Sequence, residues 1–284
     1  MRVLVTGATG GLGNLIVNNL LSRGIEVIAT SRDIEKARQC DFFSKVKYVS
    51  YDINGEGKKD LYSFFGKPDK LIHLAWEKLN EYRNEEHTTV ILNNHKKFIS
   101  DLIDGGLKDV TVVGSCYEYG IQEGMLSEEM ESKPSLPYPV GKNMLREFIE
   151  KKRRSVSFSY KWVRVFYVFG EVRGRKNLYN LLSEAVKNKA EIFNMSGGEQ
   201  VRDFLKPVEI ADIIIRISLQ TEVEGIINCC SGKPVKLKDF VTDFLKQNGY
   251  SLNLNLGFYP YPDYEPMETW GSVEKLQKVL TKSL

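Results

Sequence analysis

Histidine and cysteine are scarce in this chain, three of one and four of the other among 284 residues. The histidines, His73, His87 and His95, fall into no CxxC or His/Cys spacing of the kind that holds zinc, so a metal site is not expected. The cysteines are Cys40, Cys116, Cys229 and Cys230. The last two are adjacent in an apolar run, which reads as buried strand and not as a disulfide framework. Charge of one sign is lacking too: 40 Lys and Arg stand against 37 Asp and Glu, a net +3. That balance gives no basic field for nucleic acid or a membrane surface. No apolar run approaches the eighteen or so residues of a spanning helix. Met1-Arg2 passes straight into Val3-Leu4-Val5 and Gly7, which leaves no room for a secretory h-region. Together these absences lead to the expectation of a cytoplasmic protein with no nucleic-acid or membrane partner.

What the chain does have is alternation. Short apolar strands are expected at Arg2–Thr6, Glu26–Thr30, Val46–Ser50, Lys70–Ala75, Asp109–Val113 and Ser159–Phe169. Between them lie helical periodicities at Gly13–Arg23, Ile91–Asp104 and Tyr138–Lys151. Continuous apolar strands alternating with helices imply a parallel sheet covered on both faces, an α/β doubly wound fold of Rossmann type. After Gly170 the pattern loosens. Helices are expected at Leu178–Lys187, Glu209–Ser218 and Leu237–Gln247, a strand at Ile226–Cys230, and an aromatic, turn-rich stretch at Phe258–Tyr264. The expected division is a dinucleotide-binding domain over 1–170, joined again by segments near 205–232, and a smaller substrate lobe over 171–284.

Gly7-Ala8-Thr9-Gly10-Gly11-Leu12-Gly13 follows the first strand and opens the first helix. Glycines there let the backbone turn sharply against a pyrophosphate, and the helix N-terminus offers free N–H groups to the anion. Gly7, Thr9, Gly10, Gly11, Leu12 and Gly13 are therefore candidate cofactor residues. At the end of the second strand stand Thr30-Ser31-Arg32-Asp33. Ser31 and Arg32 suit a 2′-phosphate, while Asp33 is placed to cap the next helix. This favours NADP(H), with NAD(H) as the alternative. Asp52 and Ile53, past the third strand, are either adenine contacts or a strand-end turn.

Tyr138-Pro139-Val140-Gly141-Lys142 sets Lys142 one helical turn after Tyr138. A nearby ammonium favours tyrosinate, so such a tyrosine can exchange a proton with an alcohol oxygen during hydride transfer. Ser115 follows the fifth strand at the carboxyl edge, where ligands bind in such sheets, and its hydroxyl can hold the same oxygen.

The combination resembles the extended short-chain dehydrogenase/reductase family, also called NAD-dependent epimerase/dehydratases, which act on nucleotide sugars. The matching segments run in order: Gly7–Gly13, Asp52-Ile53, Ile72–Ala75 (IHLA), Gly114–Gly120 (GSCYEYG), Tyr138–Lys142 and Gly197–Ile213 (GGEQVRDFLKPVEIADI). The resemblance implies a catalytic triad of Ser115, Tyr138 and Lys142, and cofactor contacts extending to Leu74, Ala75 and Tyr167. It implies Arg202 as the ligand of a sugar-nucleotide diphosphate, or otherwise a surface salt bridge between Arg202 and Asp203, and Asn177 near the diphosphate-nucleoside portion. Trp76, Cys116, Tyr117 and Glu118 become candidate substrate contacts, with Trp76 otherwise core and Glu118 otherwise a satisfied loop carboxylate. His73, in a buried strand, is expected to be structural. A homodimer is the family expectation.

Departures from the family narrow the chemistry. The 4,6-dehydratases carry an acidic pair after the triad Ser/Thr; here those positions are Cys116 and Tyr117, which argues against dehydration. Tyr167 stands where many epimerases have asparagine. The GSCYEYG form looks closer to reductases of nucleotide-linked 4-keto-6-deoxy sugars. The first expectation is thus an NADP-dependent ketoreductase of such a nucleotide-sugar substrate. A nucleotide-sugar epimerase with tightly bound NAD is the second, and a non-enzymatic dinucleotide sensor, which would tend to lose the Tyr/Lys pair, the third.

Overall fold

A computed structural model describes residues 1–55, 57–172 and 177–281. Its centre is a seven-stranded sheet. The strands are β1 (Arg2–Thr6), β2 (Glu26–Ser31), β3 (Lys47–Ser50), β4 (Lys70–His73), β5 (Asp109–Ser115), β6 (Ser159–Val165) and β7 (Gly225–Cys229), in the spatial order β3-β2-β1-β4-β5-β6-β7. Every neighbouring pair is parallel. The order reverses between β1 and β4, so the two chain directions diverge there and leave a crevice at the carboxyl ends of the strands. Thr6 is in register with Thr30 on one side and His73 on the other, which brings the ends of β1, β2 and β4 to one edge.

Because both sheet faces are covered, there are two cores. Helices α1 (Gly11–Ser22) and α4 (Pro207–Leu219) cover one face. Ile16, Val17 and Leu20 pack there with Ile210, Ile214, Ile217 and the outward side chains of β1 and β6. Helices α2 (Val90–Gly105) and α3 (Pro137–Arg153) cover the other, where Ile99, Leu102 and Ile103 meet Leu145, Ile149 and Trp162. Prolines open α3 and α4 at their first turns, where a missing N–H costs nothing.

The expected strand Ser159–Phe169 is broken. Phe166 turns its N–H to the Cys229 carbonyl at 3.1 Å, and Tyr167–Val168 pair instead with Val201–Leu205. That break carries the chain out of the main sheet and starts the second lobe. Phe169, Leu182, Met195, Val241 and Leu245 form the lobe's own core, ringed by Phe204, Phe240 and Phe244. Gly225–Cys229 then returns to the main sheet beside β6.

Candidate active site

The glycine turn is shaped by backbone crowding. Gly7 has φ +66°, and a side chain on it would lie 3.0 Å from the Ala75 nitrogen. A Cβ on Gly13 would come 2.2 Å from the Gly7 carbonyl oxygen and 2.9 Å from the Ala8 Cα. Only hydrogen at position 13 lets α1 start this close to β1. Gly10 caps α1 with no side-chain hydrogen bond, and the first turn holds no acidic residue. A cradle without Cβ atoms, at a helix N-terminus with no anion of its own, fits the pyrophosphate of a dinucleotide. Gly13→Ala should therefore destabilise the fold by about 1–3 kcal/mol. It should also weaken nicotinamide dinucleotide binding, read as a lost thermal shift in the presence of cofactor.

At the end of β2, Ser31 Oγ lies 2.9 Å from the Tyr48 hydroxyl, which also donates to the carbonyls of Ser31 and Asp33. Ser31 is thus already partnered. Arg32 is exposed, and among the described residues it forms no ion pair. Asp33 caps the helix Ile34–Arg38 by accepting from Lys36 N at 3.0 Å, as the sequence suggests. Asp52 makes the strand-end turn, accepting from Asn54 N at 3.0 Å, and Ile53 packs onto the α2–α3 core.

The expected triad residues lie on two elements, Ser115 at the end of β5 and Tyr138 and Lys142 on α3. Lys142, on α3, is buried to 2% exposure; its Nζ donates to the Val113 carbonyl at 3.0 Å, two residues before Ser115 on β5. The same ammonium lies 4.1 Å above the Trp76 ring, in the turn after β4. Burial pushes the Lys142 amine down to about 7, opposed by the charges of Glu118 and Glu77. Tyr138, one turn earlier, stacks on Tyr82 with centroids 5.3 Å apart and meets His87 edge-on at 5.4 Å. Tyr82 in turn meets Tyr117 at 5.5 Å, and Tyr117 N–H donates to Ser115 Oγ at 3.3 Å. Gly141 lets α3 approach, since a Cβ there would sit 2.1 Å from the His87 carbonyl oxygen. Beside Tyr82 opens a cavity of about 450 Å³, also lined by Arg83, Leu136 and Tyr264.

The depressed Lys142 value has a consequence for stability. Below about pH 7 the folded chain carries a buried ammonium at full cost. Between there and the ordinary lysine range the unfolded chain binds more protons than the folded one, so this penalty is relieved as pH rises. Lys142→Met should raise stability by a few kcal/mol below pH 7, and the gain should vanish near pH 10.5; melting temperatures across that range check it.

Several expected ligands are engaged within the protein. Glu118 is fully buried behind Ser115, as the satisfied-carboxylate alternative expects. Its carboxylate accepts from Ser115 N at 2.8 Å, from Trp162 Nε1 at 2.8 Å and from Arg164 Nε at 3.0 Å. Asn177 caps the helix Leu178–Lys187, accepting from Asn180 N at 2.8 Å and donating to the Gly170 carbonyl at 3.0 Å. Arg202 pairs with Glu265 at 2.8 Å and donates to the Met267 carbonyl, with the Tyr167 ring 5.0 Å from its guanidinium. Tyr117 Oη also donates to Glu265, at 2.8 Å, so Glu265 joins two expected substrate residues. Cys116 is buried, which pushes its thiol far above the ordinary range, and burial does the same to the Tyr117 phenol. Both side chains after Ser115 therefore stay neutral. Leu74 and Ala75 sit at the β4 edge beside Gly7, and Trp76 is buried under Lys142.

Sequence reasoning missed Glu77, Tyr82, His87, His95 and Glu265. No motif marks them; only Glu77, two residues past the IHLA segment, lay close to a recognised signal.

A family model described as NAD dependent epimerase/dehydratase family matches residues 3–230. The chain is 27% identical over 275 residues to the dTDP-6-deoxy-L-talose 4-dehydrogenase (NAD(+)) of Aggregatibacter actinomycetemcomitans, covering 96% of this chain and all of that protein. It is 23% identical to the CDP-abequose synthase of Salmonella typhimurium, covering 84% of this chain and 78% of that one. Among solved structures, the UDP-N-acetylglucosamine 4-epimerase of Methanobrevibacter ruminantium superimposes with a TM-score of 0.85 at 20% identity, over all of this chain and 93% of the other. That likeness is one of fold.

Proposed function

The chain belongs to the NAD dependent epimerase/dehydratase family, and on that premise we propose that it interconverts a nucleotide-linked 4-keto-6-deoxyhexose and its 4-hydroxy form with NADP(H). The observation that supports the reading is the Tyr138–Lys142 pair on α3, with Lys142 Nζ on the Val113 carbonyl near the carboxyl end of β5. The glycine turn would hold a nicotinamide dinucleotide, whose chemistry when bound would be to give or take the hydride at C4. Tyr138 Oη gives a proton to the C4 oxygen in reduction and takes it back in oxidation. Lys142 stabilises the tyrosinate, and the Ser115 hydroxyl donates a hydrogen bond to the same oxygen. Neutral Cys116 and Tyr117 supply no carboxylate to eliminate water, which supports net redox chemistry at C4 over dehydration. The relative named as a 6-deoxy-talose 4-dehydrogenase carries a name of this reaction type.

Gly7, Thr9, Gly10, Gly11, Leu12 and Gly13 would hold the pyrophosphate, and the exposed Arg32 would meet a 2′-phosphate. That relative's name specifies NAD(+), so the nicotinamide form is the first thing to measure. Purified protein with dTDP-4-keto-6-deoxyhexose should consume NADPH faster than NADH. Arg32→Ala should lower kcat/KM for NADPH by roughly tenfold while sparing NADH. Consumption of neither cofactor, with NAD retained through purification, would replace this reading with an epimerase.

A further inference from the structure

All three histidines of the chain are fully buried, and their hydrogen bonds fix each proton. His95 Nε2 faces the Glu77 carboxylate at 3.0 Å, so it must donate. A neutral His95 then accepts at Nδ1, from His73 Nε2 at 2.8 Å. His73 Nδ1 is left to accept from Thr6 Oγ1 at 2.9 Å, and Thr6 Oγ1 accepts from Ala75 N–H at 3.2 Å. Every donor in this chain points toward Glu77. His87 is fixed separately: the Trp76 indole N–H donates to its Nδ1 at 3.0 Å, and its Nε2 donates to the Glu81 carbonyl at 3.0 Å. Burial holds all three imidazoles below the ordinary histidine range.

The Glu77 chain touches the site at two places. Thr6 and Ala75 lie directly under the Gly7 turn. The His95 ring stacks on Trp76, centroids 4.7 Å apart at 26°, while the Lys142 ammonium rests over the same indole. Glu77 itself accepts from Asn54 Nδ2 at 3.0 Å, and Asn54 Oδ1 accepts from Asn94 Nδ2 at 2.9 Å.

We propose that Glu77 is a positioning residue of the reacting centre, fixing through His95 and His73 both the Thr6–Ala75 floor of the glycine turn and the Trp76 ring beneath Lys142. This rests on reading Tyr138 and Lys142 as the reacting pair. The groups facing Lys142 are Glu118 from the turn after β5, Glu77 from the loop after β4, His73 on β4, His95 on α2 and His87 in the turn Glu85–Thr88. Of these, only Glu77 and Glu118 carry charge that favours the ammonium. A proton on His95 or His73 would place a second cation near it; burial keeps both rings neutral against the pull of Glu77 on His95, and Glu77 sets which nitrogen of each ring carries the proton.

Two measurements on cofactor-free protein test the proposal. Imidazole ¹⁵N shifts of the unaltered protein at pH 7 should show His73 and His95 neutral and protonated at Nε2. An Nδ1–H tautomer or an imidazolium at either would overturn it. In protein carrying ¹³Cε-lysine, assigned with Lys142→Met, the Lys142 titration midpoint should fall by about one pH unit or more in Glu77→Gln and stay near the parent value in Glu77→Asp. An unmoved midpoint in a folded Glu77→Gln would also overturn it. Neither readout uses substrate or turnover, so failure of the proposed redox reaction is seen separately.

Discussion

Tyr138→Phe should lower kcat by about 10²–10⁴-fold, because on the proposed reading the change removes the proton donor while keeping the ring and backbone in place. The ring that stacks on Tyr82 is kept, and so is the backbone N–H that donates to the Tyr82 carbonyl at 3.0 Å. The loss corresponds to about 3–5 kcal/mol of transition-state stabilisation. Steady-state kinetics with both nicotinamide forms, beside a melting curve, check it. KM for cofactor should change much less than kcat, since the glycine turn is untouched. A kcat within threefold of the parent would remove Tyr138 from the chemistry and leave the Tyr/Lys spacing a coincidence.

Glu118→Gln should have the largest effect on stability. Glu118 and Arg164 are both fully buried, and the carboxylate answers Arg164, Trp162 and the Ser115 backbone at once. The amide removes the counter-charge and points N–H groups at donors. Breaking one side of a buried pair in this way costs about 3–5 kcal/mol, which for a domain of this size lowers the melting temperature by about 10 °C. Asp101→Asn is the matched control: it breaks an exposed helical pair, Lys97–Asp101, and should change the melting temperature little. Equal, small shifts in both variants would contradict the role assigned to Glu118, which is to fix the strand end that presents Ser115.

The parallel sheet and the glycine turn were legible in the sequence because both are local patterns: apolar strands of fixed length, and glycines where a side chain would strike backbone. The same locality misled at Ser159–Phe169. That run holds no Gly, Pro, Asn or Asp to mark a stop, so the break at Phe166 was invisible; beyond it the pairing partner changes from Gly225–Cys229 to Val201–Leu205, both far along the chain. The pairing of Gly124–Leu126 with Thr269–Gly271 was likewise out of reach, since each strand is three residues long and its partner is remote. Within the site, Tyr138 and Lys142 were readable from a one-turn spacing. Glu77, His95 and Glu265 were not, because each acts through a partner from another element, Glu77 through a histidine eighteen residues on and Glu265 through an arginine sixty-three residues back. Arg202 and Asn177 show the converse. Their motif positions were recognised, but no motif reveals that a guanidinium already has a carboxylate or that an amide caps a helix.

Isotope transfer separates net hydride transfer at the sugar C4 carbon from redox-neutral epimerisation. Protein given nicotinamide cofactor deuterated at the transferable position, with a dTDP-4-keto-6-deoxyhexose, should yield a 6-deoxyhexose nucleotide carrying one deuterium at C4 for each cofactor oxidised. A sugar that changes configuration with no deuterium and no cofactor consumed would contradict the claim.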